Sequence, residues 1–404
     1  MNDFKSKNLP VSDAHVVILI NYLRRHHVIT YKELAKRVKR LTILVSTPME
    51  PDRSWSAEWD ELDVRIQSNW MFTSKWKHPS GFEEPNFIHI PIDTPSQLKK
   101  LKPDIVFSYE FGMRTLFSAW YRRWNRNVPL VMVGNMSDHI ERARGIGRRL
   151  LRRLLRANID YFTYNGPSCK RYLKRVGIVD DRLFHVPYCF DRDKSYAGDK
   201  QFSTDGIKRL VYCGAISQRK GILQFAEAMK NRSIRYPDQE VHLTICGAGL
   251  SKDQVAACQT SQFQINFLGI CDSDRLKSAY RGADICVFPT LADEWGLVPV
   301  EAMASGLPVL GSRYAQSVEE LLVEGQNGWS FAPDDRLETE AAIDSALRTD
   351  TTELQAMSRC ARKSVEMITP ERTANKFFKV IESVTKLPVQ RNNNVATHAK
   401  SANL

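Results

Sequence analysis

The stretch DEWGLVPVEAMASGLPVLGS, residues 293–312, sets one acid, Asp293, ahead of a second, Glu301, around a Trp-Gly-Leu core. A β-branched run, DICVFPT (284–290), precedes it and the apolar LPVLGS (307–312) closes it. Strand, loop, helix and strand in that order make one unit of a parallel sheet. Gly296 marks a tight turn, and the spacing predicts a helix starting near Val298. At such a start the N–H groups of Leu297 and Val298 face outward and, with the helix dipole, form an anion site. Glu301, in the first turn on the cleft side, suits the vicinal hydroxyls of a ribose. Asp293, in the loop, can reach hydroxyls of a sugar on the far side of the phosphates. Two acids that flank a phosphate site describe a nucleotide sugar.

The same alternation runs outward in both directions. RLVYCGA (209–215), VHLTICGAG (241–249) and INFLGI (265–270) read as further strands, with helices between them. VYCGAISQRKG (211–221) ends its strand at Gly214 and then presents Arg219, Lys220 and Gly221 before a helix. Gly247 and Gly249 stand at another strand end. Glycines let a backbone approach a diphosphate, and a cationic pair beside them supplies the charge. In the first half VVILINYL (16–23), LTILVSTP (41–48), VRIQSNWMF (64–72), NFIHIPI (86–92), DIVFSYE (104–110), PLVMVGN (129–135) and YFTYNG (161–166) read as strands. TYKELAKRVK (30–39), MRTLFSAWYRRW (113–124) and PSCKRYLKRVG (167–177) read as helices. The expected architecture is α/β, two Rossmann-like domains facing each other across a cleft. A polar interval, 190–209, puts the boundary near 197. The expected domains are 1–196, binding the acceptor, and 197–368, binding the donor; a helix over 369–385 packs back on the first, and 386–404 is a disordered tail.

A length of 404 residues fits two domains, and 43% hydrophobic with 26% charged residues is ordinary for a globular chain. No apolar run is long enough to span a bilayer, and the first ten residues lack the apolar core of a signal peptide. The eight cysteines show no paired spacing and sit mostly in apolar runs, as buried reduced thiols of a cytoplasmic protein do. Much of the net charge of +12 lies in ERARGIGRRLLRRLLR (141–156), a basic amphipathic helix. Its leucines can face the core, or residues 142–156 can rest on an anionic membrane surface at the inner face of the cell membrane. No motif with interleaved aromatics accompanies the charge, so nucleic acid is not an expected partner.

The central string resembles glycosyltransferase family 4, the group 1 glycosyltransferases, whose hallmark is an acid, seven residues, then Glu, within Glu-x-Phe/Trp-Gly-Leu-x-x-x-Glu-Ala-Met-Ala-x-Gly-x-Pro-Val. Asp293 through Val309 match it nearly throughout. GAISQRKG (214–221) is similar to the family's Gly-Arg-Leu-x-x-x-Lys-Gly, and FLGICDSDRLKSAYRGADICVFPT (267–290) to its nucleobase segment. The resemblance covers roughly residues 100–385. It implies the GT-B fold, a retaining mechanism and a UDP- or GDP-linked donor with no cofactor and no metal. Carried onto this chain, it implies donor binding by Gly214, Arg219, Lys220, Gly247, Gly249, Leu268, Gly269, Thr290, Gly296, Leu297, Val298 and Glu301. The catalytic candidates are Lys220, Asp293, Glu301, and Asp138 and His139 of SDHIE (137–141), with Glu141 behind them.

Three departures stand out. Asp293 replaces the usual Glu, Ala215 replaces an Arg, and LRRHHV (23–28), with His26 and His27, stands where the family has a Gly-Gly loop. Asp272-Ser273-Asp274 precedes a helix and reads as its cap rather than a metal site. The reading is transfer of a sugar to a glycan or lipid-linked acceptor of cell-surface polysaccharide or glycolipid synthesis. An epimerase or phosphorylase of the same fold, or a non-catalytic nucleotide-sugar-binding partner, remains the alternative.

Overall fold

The computed structural model describes residues 11–51, 58–142 and 145–386. The first sheet holds β1 (Ser12–Ile20), β2 (Val38–Val45) and β3 (Asp63–Ile66). After a two-stranded excursion, β4 (Asn69–Lys77) and β5 (Glu83–Pro91), it resumes with β6 (Ile105–Tyr109), β7 (Leu130–Gly134), β8 (Tyr161–Tyr164) and β9 (Leu183–His185). Its order is β3-β2-β1-β6-β7-β8-β9, with every pairing parallel. The second sheet holds β10 (Lys208–Cys213), β11 (Val241–Cys246), β12 (Phe263–Gly269), β13 (Ile285–Phe288), β14 (Val309–Ser312) and β15 (Gly328–Phe331). It too is parallel, in the order β12-β11-β10-β13-β14-β15.

Continuous apolar runs form these strands because helices cover both faces. In β1, Val16, Ile18 and Ile20 enter one core while Val17 and Leu19 enter the other. In β10, Leu210 and Tyr212 divide in the same way from Val211 and Cys213. Strand order reverses between β1 and β6 and between β10 and β13, and a crevice opens at the carboxyl ends of such neighbours. The last helix, Pro370–Lys386, crosses back to the first domain, where Phe377, Phe378 and Ile381 join its core. Arg37 lies over the Phe378 ring and donates to Asn375 Oδ1 at 2.8 Å. Residues 387–404, most of the expected disordered tail, lie outside the described residues.

Three local readings need correction. VRIQSNWMF is two strands, because buried Gln67 turns out of the sheet and donates to the Thr94 hydroxyl at 2.8 Å. The chain then forms the antiparallel β4–β5 hairpin, which projects from the domain. The first helix is Arg25–Ala35, so LRRHHV is mostly its first turn rather than a basic loop. His26 and His27 are buried there, and burial drives both imidazoles to the neutral form, His27 down to about 3.

In the arginine helix, Ile146–Leu155, not all guanidiniums face outward. Arg152 is buried, bonded to Glu141 and to the Tyr172 hydroxyl, and Arg148 approaches Glu141 at 3.5 Å. Arg156 donates to the carbonyl of Val176. Leu151 and Leu155 pack inward, whereas Leu150 and Leu154 are exposed beside Arg149 and Arg153. Ala143 and Arg144 lie outside the described residues. Six of the eight cysteines are buried and all are free, but Cys360 is exposed.

Candidate active site

The second domain's crevice is built from backbone that tolerates no side chain. Gly221 has φ +67°, and a Cβ there would overlap the carbonyl of Pro289. Gly247 lies against the carbonyl of Gly214, and Gly249 against that of Ile216, so the ends of β10 and β11 close on each other. Gly296, with φ +88°, starts the helix Leu297–Ala304 against the Phe288 ring and Ser317. Thr290, fully buried, donates toward the carbonyls of Arg219 and Ala292, so its hydroxyl shapes the loop. Gly269 has φ +71° with open space around its Cα, at the end of β12 beside half-buried Leu268.

Lys220 and Asp293 meet at this crevice. The ammonium lies 2.5 Å from Asp293 Oδ2, and Arg219 stands 4.0 Å from the same oxygen. Burial opposes ionisation of Asp293, but Lys220 and Arg219 outweigh it and hold the carboxyl below its ordinary range. Burial in turn pulls Lys220 below the usual lysine range despite its partner. Arg219 is anchored from the other domain, donating to Glu84 Oε2 of β5 at 2.6 Å. Around that pair Phe82, Trp76 and Ile140 pack on Leu291 and Ala292. The hairpin therefore reaches the donor-side loop, and Glu84 belongs to the candidate site although no sequence signal pointed to it.

Glu301 is only 6% exposed; the Tyr280 hydroxyl lies 3.5 Å from Oε2, and burial raises its carboxyl while Lys194 opposes the shift. It therefore sits at the connection between the domains, on the helix whose N-terminus carries Leu297 and Val298. Asp138 lies elsewhere in the interface, bonded to Arg175 at 2.6 Å and Arg171 at 3.2 Å. Arg171 reaches on to Glu319 of the second domain. His139 stacks on Tyr314 with ring centroids 3.9 Å apart, and burial, reinforced by Arg142, lowers its pKa to about 4. Its carbonyl accepts from His78 Nε2 at 2.6 Å. Asp138 and His139 thus bind the two domains to each other. Asp272 accepts from the Arg275 N–H at 2.9 Å, capping the helix Ser273–Gly282, and Asp274 lies on its exposed side.

A second feature faces the loop from the first domain. Asn21, Arg24, His27, Glu110, Arg114 and Asn135 surround a cavity of about 40 Å³ closed by Glu294. These residues follow β1, β6 and β7, at the switch point of the first sheet. Glu110 holds the left-handed region, φ +64°, which aims a charged side chain from a strand end. Glu294 lies 3.8 Å from Arg24, and burial with nearby Glu110 pushes its carboxyl up to about 7 against the pull of Arg24. Trp295 is buried against Tyr188, and Gln316 bonds both the Glu294 carbonyl and the Cys169 N–H, which fastens the loop to the first domain. A groove of about 670 Å³ runs along the β12 edge of the second sheet, lined by Arg209, His242 and Gln264 and reaching Leu268.

Comparison with known proteins now fits this geometry. Residues 207–349 match the family model of the glycosyl transferases group 1. This segment is a group 1 glycosyl transferase domain. An uncharacterized glycosyltransferase of Methanocaldococcus jannaschii is 30% identical over 130 residues, 31% of this chain and 33% of that protein. The D-inositol 3-phosphate glycosyltransferase of Corynebacterium urealyticum is 25% identical over 189 residues, 45% of this chain and 44% of that one. The chain thus spans less than half the length of these two relatives. HepE of Anabaena, solved in complex with UDP, superposes with a TM-score of 0.68 at 14% identity, covering 91% of this chain and 100% of that one. The fold is GT-B, and the transferase domain forms its second half.

Proposed function

We propose that the chain transfers a sugar from a UDP- or GDP-linked donor to a sugar acceptor, glycan or lipid-linked, with retention at the transferred carbon, as a family 4 glycosyltransferase would. The observation that carries this reading is the Lys220–Asp293 pair beside the start of the helix Leu297–Ala304, at the crevice of the glycosyl transferase domain. In this reading the diphosphate lies on the N–H groups of that helix, with Lys220 and Arg219 as fixed cations. Positive charge already in place stabilises the departing diphosphate at no cost of reorganisation. Glu301 takes the ribose hydroxyls, and Asp293, ionised by its partners, takes a hydroxyl of the sugar.

The acceptor lies toward Arg24, Glu110 and Glu294, whose mixed charges suit a polyhydroxyl ligand. The bond from the sugar carbon to the phosphate oxygen breaks as the acceptor oxygen attacks from the same face. The leaving phosphate then receives the acceptor's proton. No step draws on a metal, and Arg219 stands in for the cation absent at Ala215. The domain contacts through Glu84, Trp295 and Gln316 exclude water, which would otherwise hydrolyse the donor. The lipid-linked acceptor, the pathway in cell-surface polysaccharide or glycolipid synthesis, and a cytoplasmic site at the inner membrane face belong to this reading as well. Melting-temperature shifts across a panel of UDP- and GDP-sugars test it: one donor should stabilise the protein, and Glu301→Ala should remove both that shift and transfer. If no nucleotide sugar shifts the transition, or Glu301→Ala transfers at the parental rate, the assignment fails.

A further inference from the structure

The first domain exposes large apolar side chains on neighbouring elements. On the β4–β5 hairpin Trp70 pairs across from Ile90, and Phe72 from Ile88, so these four share one face, whose far end, Trp76 and Glu84, meets the second domain's loop. Trp70 is 61% exposed, and Phe72 and Ile88 are exposed too. The helix Met113–Trp124 packs on β5 and presents Leu116, Trp120 and Trp124, the last 76% exposed, at the spacing of one helical stripe. That helix also packs on Ile146–Leu155, whose outward residues are Leu150 and Leu154.

Cations punctuate the apolar residues. Arg123, Arg126, Arg149 and Arg153 are exposed, and neither helix, nor the 125–129 connection after the first, contains an acid. A protein interface buries a core depleted in charge. A lipid interface accepts both classes side by side: tryptophans settle at the headgroup level, leucines enter below it, and arginines meet anionic headgroups. A polyanion such as nucleic acid would use the arginines and leave the leucines in water.

We propose that this face, formed by the hairpin and the helices Met113–Trp124 and Ile146–Leu155, rests on an anionic lipid bilayer. It deepens the reading of a lipid-linked acceptor by naming the surface that brings the protein to it. No helix among the described residues is long and apolar enough to cross a membrane, so attachment here is peripheral and reversible. Arg148 and Arg152, tied to Glu141, take no part; the electrostatic share falls to the outward arginines.

Sedimentation with vesicles of phosphatidylcholine alone, or mixed with phosphatidylglycerol, tests this without donor or turnover, so its outcome is separate from that of the transfer reading. The full chain should pellet with the anionic vesicles only, less so at high salt, with a blue shift of tryptophan emission. Trp70→Ser with Phe72→Ser, Trp120→Gln with Trp124→Gln, and Arg149→Gln with Arg153→Gln should each lower the partition coefficient at least tenfold. Circular dichroism melting should match the parent, because these side chains are exposed. The proposal is overturned if the parent ignores anionic vesicles, or if all three double variants bind them like the parent. It is also overturned if the tryptophan variants change only the oligomeric state, which would assign the face to a second copy of the chain.

Discussion

Lys220 and Asp293 are 73 residues apart in the chain and 2.5 Å from each other in space, a pairing that suits an Asp where the resembled pattern has Glu. The shorter side chain leaves its carboxylate at the lysine, while the adjacent Glu294 turns to the first domain. The two acids therefore titrate apart: Asp293 is kept ionised by two cations, and partial burial with nearby Glu110 raises Glu294 to about 7. A carboxyl raised on folding keeps a proton that the unfolded chain has already lost. Its contribution to stability is complete below the ordinary glutamate range and disappears as pH climbs through about 7. Glu294→Gln should therefore flatten the decline of melting temperature between pH 5 and 8 by less than one carboxyl's full worth, since the side chain keeps 35% of its exposure, measured by calorimetry in parallel with the parent. An unchanged slope would mean that Glu294 titrates in its ordinary range.

Elements were legible in the sequence wherever both faces of a strand are buried, because parallel sheets demand unbroken apolar runs. This covered β1, β2, β6, β7 and the strands from β10 to β14. β15 was missed, since GWSF is four residues long and opens on a glycine. The hairpin read as isolated strands, because its exposed aromatics mimic a buried run and its partner across the cleft, Arg219, lies 135 residues from Glu84. The strand-end glycines and the acids of 293–301 could be read as a candidate site because each belongs to a local turn. The arginine helix could be read as amphipathic but not as having Arg152 inward, since that depends on Glu141 and Tyr172 from other elements. Arg152→Gln takes the nearer cation from the buried Glu141 carboxylate, leaves Arg148 at 3.5 Å, and should cost up to about 3 kcal/mol. Arg149→Gln, on the exposed face, should stay within about 0.5 kcal/mol. Denaturant unfolding separates them, and equal stability of the two variants would place Arg152 outside any structural role.

Across the whole molecule, the two domains are not two consecutive pieces of chain. The helix Pro370–Lys386 follows the second domain but places Ala374, Phe377, Phe378, Val380, Ile381 and Val384 in the core of the first, against the helix Arg25–Ala35. Burying a phenylalanine, isoleucine or valine contributes about 1.5–3 kcal/mol each, so the five of them amount to about 7–15 kcal/mol, an upper estimate because the unfolded chain already buries part of this surface. A domain's net stability is about 5–15 kcal/mol, so the first domain depends on this helix to stay folded. The second domain keeps its own cores, centred on β10 and β13, without it. A chain ending at Thr369 should thus lose structure on one side only. Hydrogen exchange should show lost protection in β1, β2 and Arg25–Ala35, with β10, β11 and β13 still protected. The cleft would lose Arg24, Glu84 and Glu110 as fixed groups, so transfer should vanish while nucleotide binding by the second domain persists in part. Full protection of β1 in the truncated chain would show that the helix merely covers a domain already stable by itself.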